Sequence, residues 1–246
     1  MFTLSIVIPA YNEEGTIQET VLTFYQKLRE EKIPHEIIVV NDNSRDHTEN
    51  ILSDLLKVVP TLLYFNNTGR NGFGYAVRYG LEHFTGDCVA IVMADLSDSP
   101  DDLVSFYRLM EAKNLDCVFG SRFMKGSKVY NYPALKLIIN RLANNIIRLA
   151  LGIRYNDATN AFKLYRAHTI EGIKPFLSPH FNLTIELSLK SIIRGYSYEV
   201  LPNSWRNRKS GISNLKIREM GSRYAFILFY VMIEKFFSRG DFHKKW

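Results

Sequence analysis

With 246 residues, 46% of them apolar and 23% charged, the chain can bury a substantial core, as one large α/β domain or a domain with an extension. Two cysteines, Cys88 and Cys117, both inside apolar runs, argue against a disulfide scaffold or a zinc site. The formal charge of +6 asks for an anionic partner: a phosphate ligand, a membrane surface or nucleic acid.

Taken in order, residues 4–8 read as a buried strand stopped by Pro9, which cannot donate to a sheet. Ile17, Val21, Phe24 and Leu28 recur on one face of a helix predicted over about 16–31. A second buried strand, 36–40, ends in Asn41-Asp42, and Ser44 or Asp46 can cap the helix that carries Ile51, Leu52, Leu55 and Val59. A third strand over 61–65 runs into a glycine-rich turn, Gly72-Phe73-Gly74, and a helix over 75–83. Those glycines suit phosphate contact or a tight strand-to-helix turn. The fourth apolar run, 88–92, stops at Met93-Ala94-Asp95, and Ser99-Pro100-Asp101-Asp102 has the residues of a helix start. Asp101 and Asp102 are therefore read as helix-start charges, whereas Asp95 stands before the cap on the strand edge.

Alternating strands and helices predict a parallel sheet with helices on its faces. The first strand is not followed by Gly-x-Gly-x-x-Gly, so the dinucleotide fingerprint is missing. Further on come a strand over 116–119, a basic loop at 125–128, an apolar-faced helix over about 135–151, a strand over 161–165, an amphipathic helix over 182–194 and a strand over 196–201. A dense cationic segment, 205–213, follows and suits a phosphate. The tail holds a helix rich in Tyr224, Phe226, Phe229, Tyr230, Phe236 and Phe237 and ends in cations and Trp246. This composition fits an anionic membrane interface, or a helix packed on its own domain or in a homo-oligomer interface. Its longest apolar stretch, 224–233, is too short to span a bilayer. Without a basic leader or a cleavage site, the expected location is cytoplasmic and peripheral at the membrane's cytoplasmic face.

Three strand ends thus carry polar breaks: Tyr11-Asn12-Glu13, Asn41-Asp42 and Asp95. Carboxylates there can bind base or ribose hydroxyls or a divalent cation on a diphosphate. Arg122, Arg206 and Arg208 can neutralise the same phosphates. The residues by themselves indicate a nucleotide-diphosphate site; no nucleic-acid motif is present.

Six segments in this order, Pro9-Ala-Tyr-Asn-Glu13, Val40 to Thr48, Gly72 to Ala76, Ala94 to Pro100, Gly120-Ser-Arg122 and Trp205 to Ser213, resemble family-2 inverting glycosyltransferases of the GT-A fold. Within that family the likeness is to dolichol-phosphate mannose synthases and bacterial polyprenyl-phosphate sugar transferases. The resemblance, over about residues 3–215, implies a GT-A domain, Rossmann-like and mostly parallel, over 1–215; the tail's own residues add a C-terminal amphipathic aromatic helix over 216–246. It implies hexose transfer from a nucleotide-diphosphate sugar (GDP-mannose or a UDP-hexose) to a polyprenyl phosphate; the alternatives are a saccharide or other hydroxyl acceptor, or a non-catalytic pseudo-transferase that only binds a nucleotide sugar. Pro9, Ala10, Tyr11, Glu13, Val40, Asp42, Ala94, Asp95 and Arg122 would bind the donor. Lys136, Asn140, Arg208 and Ser213 would bind the acceptor phosphate. Asp95 and Ser97 would hold Mg²⁺ or Mn²⁺, with Asp95 and Arg208 as the catalytic pair. Met93 replaces the first carboxylate of the family's Asp-x-Asp, and Asn41 the first of its Asp-Asp pair. The sequence further predicts that cutting the chain after Leu215 lowers liposome binding and leaves nucleotide affinity largely intact.

Overall fold

The structure, a computed structural model, describes residues 1–206 and 217–244, with only the helical backbone for 217–220. The first half runs β1 (Leu4–Ala10), α1 (Ile17–Glu30), β2 (His35–Asn41), α2 (Thr48–Leu55), β3 (Leu62–Asn66), α3 (Phe73–His83), β4 (Cys88–Ile91) and α4 (Pro100–Lys113). The second runs β5 (Cys117–Ser121), β6 (Val129–Tyr130), α5 (Ala134–Leu151), β7 (Lys163–Arg166), α6 (Ala167–Gly172), α7 (Leu183–Ile193), β8 (Tyr198–Pro202), β9 (Trp205–Arg206) and α8 (Ile217–Phe237).

Seven strands form one mixed sheet in the order β3-β2-β1-β4-β7-β5-β8, and β6 pairs with β9 in a small parallel ribbon. The chain builds outwards from β1 through β2 to β3, then returns to place β4 on the other side of β1. That reversal opens a crevice beyond the carboxyl ends of β1 and β4, where such sheets bind ligands. β7 enters antiparallel between β4 and β5, so the sheet is mostly rather than wholly parallel. Strand alternation sends Ile6, Ile8, Ile37 and Val39 to one core, with α1 and α4, and Val7, Ile38 and Val40 to the other, with α3 and α7.

Two expectations change in the second half. The helix predicted as amphipathic, α7, is buried on every side from Leu183 to Ser191. Its polar residues face protein partners: Glu186 accepts the N–H groups of Leu177 and Ser178, and Lys190 Nζ donates to Glu186 at 2.7 Å. Polar periodicity here marks buried hydrogen bonding instead of a wet face. The tail helix covers part of α7. Ile227 and Val231 of α8 are fully buried in the second core, and Glu234 takes Arg194 in a two-pronged pair at 2.6 and 2.8 Å. A cut after Leu215 would strip Arg194 of its buried partner, so the truncation does not isolate membrane binding from folding.

Candidate active site

The three polar strand ends meet in one cavity of about 670 Å³, and all but four of the site residues that the family resemblance implies line it. From β1 come Pro9 and Ala10, followed by Tyr11 and Glu13; Asp42 comes from the end of β2; Asp95, Ser97 and Asp98 follow β4; Arg122 follows β5; and Lys136 and Asn140 lie on α5. Val40 and Ala94 are exceptions: their side chains are packed into the two cores, so they offer no side chain to a ligand. Arg208 and Ser213 lie outside the described residues.

Local hydrogen bonds fix the β1 and β2 side of the cavity. The amide of Asn12 donates to Ser44, its side-chain oxygen accepts the amide of Arg45, and the amide of Glu13 donates to Thr48. The loops after β1 and β2 are thereby laced together. Asp42 is held by Asn67 Nδ2 and the amide of Gly72, both at 2.7 Å. Asn41 has a structural job: it accepts the amide of Ser44 and donates to Asn66. The glycine turn is explained by close approach, because a Cβ on Gly74 would sit 2.5 Å from the backbone of Pro179. The turn brings Phe73 and Phe181 into ring contact at 4.6 Å.

Beyond β4 the backbone turns sharply, with Leu96 at φ +60° and the amide of Ser97 donating to Asp95 Oδ1. Asp98 folds back so that its Oδ2 accepts the amide of Met93 at 2.9 Å. Burial pushes the Asp98 carboxyl up to about 7, with Asp95 adding to the rise and the Met93 amide and Arg122 opposing it. Ser99 does sit at the N-cap position with Pro100 next, although its hydroxyl makes no capping bond. Asp101 pairs with Lys27 on the surface, while Asp102 accepts the amide of Ser204 at 2.6 Å. The helix-start carboxylate thus latches the strand that leads into the cationic segment, and the amide of Arg206 donates to the carbonyl of Ser97.

Arg122 is buried and forked onto Asp157 through Nε and Nη2 at 2.8 and 2.7 Å, with Thr159 accepting a further bond. Burial works against its charge, but Asp157 outweighs it and keeps the guanidinium firmly protonated. Nη1 has no acceptor among the described residues, and Arg122 lines the cavity. Sequence reading missed Asp157; the polar run Asn156-Asp-Ala-Thr-Asn160 between an apolar helix and a strand was the available signal. It also missed His180, Arg223 and Tyr224, which complete the wall from the 178–182 loop and from α8.

Among the described residues no three His, Cys, Asp or Glu side chains come close enough to hold a metal by themselves. Asp95, Asp98 and Ser97 are nevertheless hard oxygen donors on one short loop at the cavity wall. They fit Mg²⁺ or Mn²⁺ provided that diphosphate oxygens complete the coordination.

Residues 5–174 match the sequence profile of Glycosyl transferase family 2. The chain is 32% identical over 219 residues to a dolichol-phosphate mannosyltransferase of Pyrococcus furiosus, covering 87% of this chain but only 59% of that one. It is 27% identical over 216 residues to a polyprenol monophosphomannose synthase of Mycolicibacterium smegmatis, covering 85% and 80%. The glucosyl-3-phosphoglycerate synthase of Mycobacterium tuberculosis shares the fold, with a TM-score of 0.66 at 19% identity over 95% of this chain and 80% of that one. Structures of that enzyme are described in complex with Mg²⁺ and UDP, and with Mn²⁺, UDP-glucose and phosphoglyceric acid.

Proposed function

The chain belongs to glycosyl transferase family 2 and is a glycosyltransferase; from that premise we propose that it moves a hexose, with inversion, from a nucleotide-diphosphate sugar to a polyprenyl phosphate. One observation carries the choice of acceptor. The cavity joins carboxylate-bearing strand ends to a wall made by α5 and α8, and those two helices present apolar side chains outwards. Leu135, Ile138, Leu142 and Leu149 of α5 are 60–77% exposed, as are Phe226, Phe229 and Phe237 of α8. The helices touch, with Lys235 Nζ donating to the carbonyl of Leu151. Apolar helices beside a cavity wall that carries Arg122, Lys136 and Arg223 suit a lipid phosphate delivered from a membrane surface. No helix among the described residues is long and apolar enough to cross a membrane.

In this reading Glu13 and Asp42 face the base and ribose, and Asp95 with Ser97 holds a divalent cation on the diphosphate. When bound, the cation offsets charge on the departing nucleotide. Arg122 turns its spare N–H towards phosphate oxygens, with Arg208 assigned the same task. Lys136 and Asn140 orient the acceptor. A phosphate acceptor is already anionic and attacks the anomeric carbon without a protein base.

A hydroxyl acceptor would need a base, and His180 on the cavity wall is a histidine in reach of the site. The two readings separate on lipid dependence. Labelled transfer from a panel of GDP- and UDP-sugars, with Mg²⁺ or Mn²⁺, should give chloroform-soluble product only when a short polyprenyl phosphate is added, and Asp95→Ala should abolish it. Product that ignores the lipid and depends on His180 would replace this reading with the hydroxyl one.

A further inference from the structure

We propose that Asp98 is a metal-binding carboxylate of this chain, taking the part that Met93 cannot play beside Asp95; the proposal rests on the metal-assisted reading above. Met93, Asp95, Ser97 and Asp98 all line the cavity within one turn of chain. Met93 offers only a thioether, a poor ligand for a hard cation. The loop compensates by its shape. After Asp95 the left-handed residue Leu96 reverses the chain, and Asp98 returns to the start of the same loop, where its Oδ2 accepts the Met93 amide.

Asp98 is 7% exposed, and its Oδ1 has no hydrogen-bond partner among the described residues although the residue faces the cavity. That oxygen is therefore open to the cavity, where a hard cation can reach it. Arg122, the nearby guanidinium, gives Nε and Nη2 to Asp157 and makes no hydrogen bond to Asp98 among the described residues. A cation shared with Asp95 and a diphosphate suits a hard oxygen in this place.

The experiment is Mn²⁺ binding by electron paramagnetic resonance on the full chain saturated with GDP or UDP, beside metal-free nucleotide binding by equilibrium dialysis. Asp98→Asn keeps the shape and an acceptor for the Met93 amide. It should weaken Mn²⁺ at least about tenfold, the lower end for disturbing even an outer partner of a metal site, and leave metal-free nucleotide binding within about twofold. Met93→Asp placed in the Asp98→Asn background should regain Mn²⁺ affinity, a rescue that a merely structural role for Asp98 would not produce. If Asp95→Ala loses Mn²⁺ while Asp98→Asn binds it like wild type, or if Met93→Asp fails to rescue, Asp98 is not a ligand and the metal reading stands without it. If neither Asp95→Ala nor Asp98→Asn changes Mn²⁺ binding, the metal reading itself falls.

Discussion

Two buried arginines, each forked onto a carboxylate, do different work in this molecule. Arg194, at the end of α7, spends its donors on protein: Nε and Nη2 on Glu234, Nη1 on the carbonyls of Gly172 and Lys174. Arg122 is equally well held by Asp157 but, at a cavity wall, its Nη1 has no acceptor among the described residues. The first pair closes the tail helix onto the fold; the second fixes a guanidinium and leaves part of it unspent at the cavity wall. Burial and pairing alone do not tell a structural ion pair from a functional one. The count of unused donors, and what they face, does.

That contrast predicts an ordered set of effects. Glu234→Ala leaves Arg194 charged and unpaired, and should lower unfolding free energy by about 3–5 kcal/mol in urea titration. An Arg194→Leu, Glu234→Leu double variant should regain most of it. Arg122→Lys keeps the charge and loses the fork, so sugar transfer should fall on the order of 10²-fold, with a much smaller shift in the urea midpoint. An equal loss of turnover from Arg194→Lys would erase the distinction.

Asp116 supplies a third test on the structural side. Burial raises its pKa, but bonds from Lys244, Ser197 and His168 outweigh that and pull the carboxyl down to about 2. A depressed carboxylate stabilises the fold above its unfolded value near 4, and that contribution drains away as pH falls towards 2. Asp116→Asn should therefore cost roughly 1–2 kcal/mol at pH 7, and its gap to wild type should close between about pH 4 and pH 2. The smallest effect on stability should come from the outer face of α8: Phe229→Ser with Phe237→Ser should change it by no more than about 0.5 kcal/mol. The same pair should reduce co-sedimentation with anionic vesicles, and unchanged sedimentation would remove the membrane role of that face.

Much of the cavity's β1, β2 and β4 side was legible because its physics is local. Short continuous apolar runs ending in Pro9, Asp42 and Asp95 state both where a buried strand stops and what it delivers there. Asp102 was legible only as a helix-start charge, since its bond to Ser204 joins positions 102 apart in sequence. Asp157 was missed for the same reason: nothing near it in sequence shows that Arg122 is its partner. The period of α7 suggested a solvent face because Glu186 and Lys190 look alike whether water or a folded-back loop satisfies them.

By itself the sequence determined the strand–helix alternation, the carboxylates at strand ends and the family, all properties of short windows and their order. Tertiary structure alone decided that β7 enters antiparallel, that α8 seats on α7 through Arg194 and Glu234, and that Asp98 turns back towards Met93. These depend on which distant segments exclude water from one another, and hydrophobic burial is non-directional until the chain has folded.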